Sequence, residues 1–161
     1  MEWIYDHPEI LRSIIARSSG AIGELFVAQK VEQWGYRVRP ASINARQCDL
    51  IATSPNGREF GIEVKTVKGS GAPWLVRNCP DESASLCWVF VYAPRTDDGL
   101  PNEDDIRYRI IKTQDVAKIW RSKFDGKPNK APDITWRDLG ANAGGPEPYL
   151  NQWENLPDWS R

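Results

Sequence analysis

Apolar residues at Val27, Ala28, Val31 and Gly35 fall three, four, seven and eleven positions after Glu24, the spacing of one helix face. A helix is therefore expected over residues 21–34, stopped by Gly35. Upstream, residues 9–17 read as a shorter helix broken by Ser18, Ser19 and Gly20. The period then changes. Tyr36 and Val38 alternate with Arg37 and Arg39, predicting a strand over 36–41, with further strands over 47–53 and 59–67. Residues 87–93 (CWVFVYA) are continuously apolar and predict a strand buried on both faces. A short helix is expected over 81–86 and another strand over 107–112. Thr113 or Asp115 suits the cap of a helix reaching Phe124, with Val116, Ile119 and Trp120 on one side. Residues 124–148 are rich in Gly, Pro and Asn and read as irregular, with one strand over 134–137. Tyr149, Trp153 and Leu156, at i, i+4 and i+7, predict a closing amphipathic turn that packs back on the body. The order of elements is α/β, in a single domain over 1–161 with its core at about 20–124 and an irregular extension over 125–161.

Composition supports a chain with a real core, since 40% of its 161 residues are hydrophobic and 27% charged. The net charge of −1 excludes a general polycation, so any nucleic-acid contact must be local. Eight Lys or Arg (30, 37, 39, 46, 58, 65, 68, 77) lie between residues 30 and 79, against four acids (32, 49, 59, 63). The sign reverses over 81–111. This asymmetry permits a nucleic-acid face, and equally permits two ordinary solvated faces. Cys48, Cys79 and Cys87 have no CxxC spacing, and His7 is the only histidine, which argues against a Cys/His zinc site and for free thiols in a reducing cytoplasm. The N-terminus lacks the basic region of a secretory signal. The longest apolar run is far too short to cross a bilayer, so no membrane partner is expected.

The candidate chemistry lies in residues 47–68, QCDLIATSPNGREFGIEVKTVK. Pro55 and Asn56 suit the centre of a type I turn, and Gly57 suits the left-handed residue that closes a three-residue hairpin loop. Ser54 then lies opposite Arg58, and stepping back along both strands puts Asp49 opposite Glu63. Opposite residues share a face with Cβ atoms roughly 4.5–5.5 Å apart. Lys65, two residues on, shares it. Leu50, Ala52, Phe60, Ile62 and Val64 form the other, core-facing side. Two adjacent carboxylates repel unless a cation lies between them. A hard divalent ion such as Mg²⁺ does this, and also lowers the pKa of a bound water. The plainer alternative is a solvated Glu63–Lys65 salt bridge with Asp49 as a charge near a turn. Glu24 lies on the apolar arc of its helix, where an acid needs a partner. Either a metal or an arginine such as Arg37 or Arg46 would serve.

The helix start Gly20-Ala21-Ile22-Gly23-Glu24, followed by Asp49 and then by Glu63-Val64-Lys65, resembles the PD-(D/E)XK nuclease superfamily, and within it the archaeal-type Holliday-junction resolvases. The matching region is about 20–93, and Cys48 stands where the family name has proline. The resemblance implies a restriction-endonuclease-like fold, a mixed central sheet flanked by helices. It implies Asp49 and Glu63 as metal ligands, Lys65 as the catalytic lysine, and Glu24 as the helix acid that completes the site. The implied activity is cleavage of DNA by Mg²⁺-assisted hydrolysis, with Mn²⁺ able to substitute. Arg46, Thr66, Lys68 and Ser70 flank this stretch and are candidates for phosphate contacts. Trp74 is a candidate for base stacking or, alternatively, for the core. The alternative to an enzyme is a non-catalytic domain of the same fold that binds DNA or a protein partner. A further reading has residues 140–161 docking on a second copy as a homodimer.

Overall fold

The structure, a computed structural model, describes residues 19–42, 48–69, 71–84, 86–94, 101–125, 127, 132–140 and 147–159. The helix expected over 9–17, His7, Arg46 and Ser70 lie outside them. Helix α1 (Ser19–Gln33) leads into β1 (Arg37–Pro40), β2 (Leu50–Thr53) and β3 (Glu59–Val67). The short β4 (Trp74–Leu75) precedes β5 (Leu86–Tyr92), β6 (Arg107–Lys112) and helix α2 (Thr113–Phe124). The two-residue β7 (Asp133–Ile134) and two single 3-10 turns, Glu103–Asp105 and Trp153–Asn155, complete the described elements.

The fold is α/β, with a mixed five-stranded sheet in the order β1-β2-β3-β5-β6. Only the β3–β5 pairing is parallel. Side chains alternate across the sheet, so each strand feeds two cores. On one side, α1 lays Ile22, Phe26, Val27 and Val31 over Leu50, Ala52, Phe60, Ile62 and Val64. Phe26, outside the expected arc, is nonetheless buried, because the helix packs down onto the sheet through a wider face than the arc predicted. On the other side, α2 and the β4–β7 ribbon enclose Trp74, Trp88, Phe90, Ile111, Val116 and Ile134.

Local rules account for the element boundaries. Helix α1 ends in a Schellman motif: Gly35 has a φ of 88°, its N–H donates to Glu32 O at 2.9 Å, and Tyr36 N–H donates to Val31 O at 3.4 Å. At the β2–β3 turn, Gly57 has a φ of 84° and donates to Ser54 O at 2.9 Å, as the three-residue loop requires. The observed register pairs Leu50 with Ile62 and Thr53 with Glu59, the register read from the sequence.

Three expectations are corrected. No helix forms at 81–84, where the Asp81 carboxylate instead accepts from the Ser83 N–H and hydroxyl in a turn. The strand expected over 134–137 is confined to Asp133–Ile134, because Asp138 draws the Thr135 N–H and hydroxyl into a turn. Thr113 does not cap α2: it is the helix's first residue and its hydroxyl donates to Leu86 O, while the N-cap position falls on Lys112 without a side-chain bond.

The segment over 147–159 packs on its own chain. Ile110 N–H donates to Tyr149 O at 3.1 Å and Asn151 N–H to Tyr108 O at 2.8 Å, which covers the β6 edge. It then crosses the sheet to the β2–β3 turn, where Asp158 accepts from Ser54 Oγ at 3.1 Å and Arg58 Nη1 at 3.2 Å. Glu147 pairs at 2.6 Å with the fully buried Arg109, whose guanidinium stacks 3.6 Å over Trp136. Burial holds the Arg109 pKa down to about 10. No helix among the described residues is long and apolar enough to cross a membrane.

Candidate active site

Strand β2 begins at Leu50: of the strand expected over 47–53, Gln47 lies outside the described residues, and Cys48 and Asp49 fall outside the strand for a reason that lies in the candidate site. The alternation of the ladder would send the Val64 N–H to the Cys48 carbonyl. Instead the chain lifts out of the sheet, with Cys48 lying over Gly61, where even a Cβ would come within 2.9 Å of it. Asp49 N–H donates to Ile62 O at 2.9 Å, and the Asp49 carbonyl continues the pairing with β1 by accepting from Ala41 N–H at 2.9 Å. The Asp49 carboxylate fills the gap: its Oδ2 accepts the Val64 N–H at 2.8 Å. One oxygen is thus anchored by the main chain, and the other is left for a donor or a cation.

Glu63 and Lys65 follow on β3, on the face opposite Ile62 and Val64, and their side chains touch as an ion pair. Both are largely buried, at 16% and 29% side-chain exposure for Glu63 and Lys65. Burial raises the Glu63 pKa most; contact with Lys65 opposes this, and the Asp49 charge adds to it. Glu24 is raised by burial and then by Asp49 and Glu63, with Lys65 the opposing charge. The Cys48 thiol is pushed up by burial and by the same two carboxylates. Helix α1 reaches the site because Gly23 lets it approach β3 closely, against Thr66.

The structure therefore brings Glu24, Asp49, Glu63 and Lys65 into one electrostatic neighbourhood, three carboxylates against one ammonium. Among the described residues, no three His, Cys, Asp or Glu side chains converge into a set that holds a metal ion. Asp49, Glu63 and Glu24 are coupled to one another through charge. Two carboxylate ligands with retained waters suit Mg²⁺, and the all-oxygen donor set suits a hard cation. No ion pair joins Glu24 to Arg37 among the described contacts.

The flanking candidates separate. Lys68 is exposed just past β3. Thr66 lies on the α1 side of the sheet, its Oγ1 buried without a partner against Gly23. Trp74 belongs to the core, fully buried, with its indole N–H donating to Val91 O at 3.0 Å. A groove of about 410 Å³ opens beside Glu63 and Lys65, with Trp88, Leu75, Arg77 and Asn78 among its lining residues. Sequence reading missed these four as a group. No local pattern marks them, because Trp74, Leu75 and Val76 are consecutive apolar residues and only the tertiary structure sorts them into buried and exposed. Compared with protein-family models, with curated proteins and with solved structures, the chain matches none of them.

Proposed function

We propose that the protein is a Mg²⁺-dependent DNA endonuclease of restriction-endonuclease-like fold, akin to the PD-(D/E)XK nucleases and acting in the cytoplasm. The observation that carries this reading is the Asp49 carboxylate taking the place of a main-chain carbonyl at the N–H of Val64, the residue between the paired Glu63 and Lys65, with its charge acting on Glu63. A strand that only needed to pair would keep the Cys48 carbonyl in the ladder. Here the ladder is given up to fix a charged group beside two others.

Asp49 and Glu63 would hold the cation, and the further charge of Glu24 would favour its entry. When bound, Mg²⁺ supplies a water of lowered pKa and offsets charge growing on the phosphoryl oxygens. Lys65 leaves Glu63 and donates to the attacking water or to a non-bridging oxygen. The water would give its proton to solvent as its oxygen bonds to phosphorus, and the phosphorus–oxygen bond to the leaving alcohol would break, that oxygen taking a proton from solvent. The test is plasmid nicking with Mg²⁺ or Mn²⁺, alongside titration of the metal into the same protein. Asp49→Ala and Lys65→Ala should each lower nicking on the order of 10²–10³-fold. Wild-type protein that binds no metal and leaves duplex, branched and single-stranded DNA intact would end the proposal.

The Glu63–Lys65 ion pair favours a second reading, a non-catalytic domain that binds DNA or a protein. Salt-sensitive DNA binding without cleavage would select its DNA-binding form.

A further inference from the structure

Strand β4 and the residues after it run beside the candidate site with their side chains sorted by alternation. Trp74 and Val76 are buried, and Leu75 and Arg77 face outward. Leu75 is 48% exposed, the one large hydrophobic side chain among the described residues that stands out in solvent.

The groove it borders has a mixed lining. Its lining takes Glu63 and Lys65 from β3, and Leu75, Arg77 and Asn78 from β4 and the residues after it. Leu86 and Trp88 supply further apolar surface, with the Lys65 ammonium 5.8 Å from the Trp88 ring centre. The indole N–H of Trp88 is buried without an acceptor. Asp81 is the other carboxylate on the wall, and its Oδ1 is already engaged by Ser83. Apolar surface for a base or sugar, a carboxamide for a base edge and a guanidinium for a phosphate thus lie within one groove.

We propose, building on the nuclease reading, that this groove seats one unpaired nucleotide of a single-stranded or locally opened DNA strand next to the scissile phosphate. Arg77 contacts the flanking phosphate, and Leu75 packs against the base. The preference for an unpaired nucleotide follows from the groove's apolar surface: a base in duplex already has its faces stacked, whereas an opened one offers them to a side chain. A leucine is also a residue used as a wedge between base steps.

The experiment is fluorescence anisotropy in EDTA, where nothing is cut, with a labelled single-stranded oligonucleotide and the same sequence as a full duplex. Wild type, Arg77→Ala and Leu75→Ser are compared, with thermal melts to show that each folds. Wild type should bind the single strand more tightly than the duplex. Arg77→Ala should weaken binding about tenfold and lower the slope of log affinity against log salt by about 0.7, one phosphate contact on a single strand. Leu75→Ser should weaken single-strand binding several-fold with the salt slope unchanged, because it removes no charge. Equal wild-type affinity for the two DNAs, or folded variants that bind as wild type does, overturns the groove assignment while leaving metal-dependent nicking standing. Wild type that neither binds DNA nor nicks plasmid with Mg²⁺ overturns both readings.

Discussion

The Val64 N–H donates to Asp49 Oδ2 at 2.8 Å, so a side chain completes the ladder at the point where β3 turns to its two charged residues. The same bond that orients the carboxylate also satisfies a buried amide. The charge at residue 49 and the bond that orients and stabilises it are therefore separable by substitution.

Asp49→Asn keeps an oxygen for the Val64 amide and loses the charge. It should retain nearly all of the wild-type stability while losing metal binding and nicking. Asp49→Ala leaves the amide unpaired and should cost about 1–3 kcal/mol more. Urea unfolding of both variants checks this, and equal stability of the two would show that the bond does not matter.

Gly23 and Thr66 set the spacing between α1 and β3. A Cβ on Gly23 would fall 1.8 Å from Thr66 Oγ1, and a β-branched side chain has little freedom to turn away. Gly23→Ala should destabilise by about 1–3 kcal/mol despite the better helix propensity of alanine. Thr66→Ala alone should cost little, since its buried hydroxyl has no partner. In the double variant most of the loss should return, and a double-mutant cycle with no coupling would contradict the packing described.

Glu24 titrates above its ordinary value of 4.5 in the folded protein, chiefly through burial and then through Asp49 and Glu63. Between the unfolded and folded pKa values, the native state binds more protons than the unfolded state. Stability from this group is present in acid and falls as pH rises through the folded value. In EDTA, Glu24→Gln should lessen the loss of stability between about pH 4.5 and neutrality. Thermal melts across that range measure it; parallel curves for wild type and variant would place Glu24 away from the two carboxylates.

Glu147 is the charge partner of the buried Arg109. Glu147→Gln should cost about 2 kcal/mol, discounted from the ~3–5 of a fully buried pair because Glu147 is partly exposed. Denaturant unfolding would show it, and an unchanged midpoint would mean that stacking on Trp136 alone accommodates the guanidinium.

Several parts of this molecule follow from short stretches of sequence. Pro55-Asn56-Gly57 determines the turn, and the turn determines the register from Thr53–Glu59 back to Leu50–Ile62, because hairpin pairing is a local geometric consequence of loop length. Residues 107–124 read directly as strand and helix, and the apolar run at 87–93 as a strand with both faces covered, observed over Leu86–Tyr92. Gly35 marks the end of α1 because only a residue tolerant of positive φ suits the Schellman motif. Other features depend on residues far apart in the chain, and no local pattern encodes them. The parallel pairing of β3 with β5, the ribbon of Trp74–Leu75 with Asp133–Ile134, and the cover of the β6 edge by Tyr149 and Asn151 are choices among partners. The lift of Cys48 over Gly61 is of this kind too, and it decides that Asp49 meets the Val64 amide with its side chain. Local propensity sets which residues pair across a turn, whereas the burial of two sheet faces at once decides which distant segments meet.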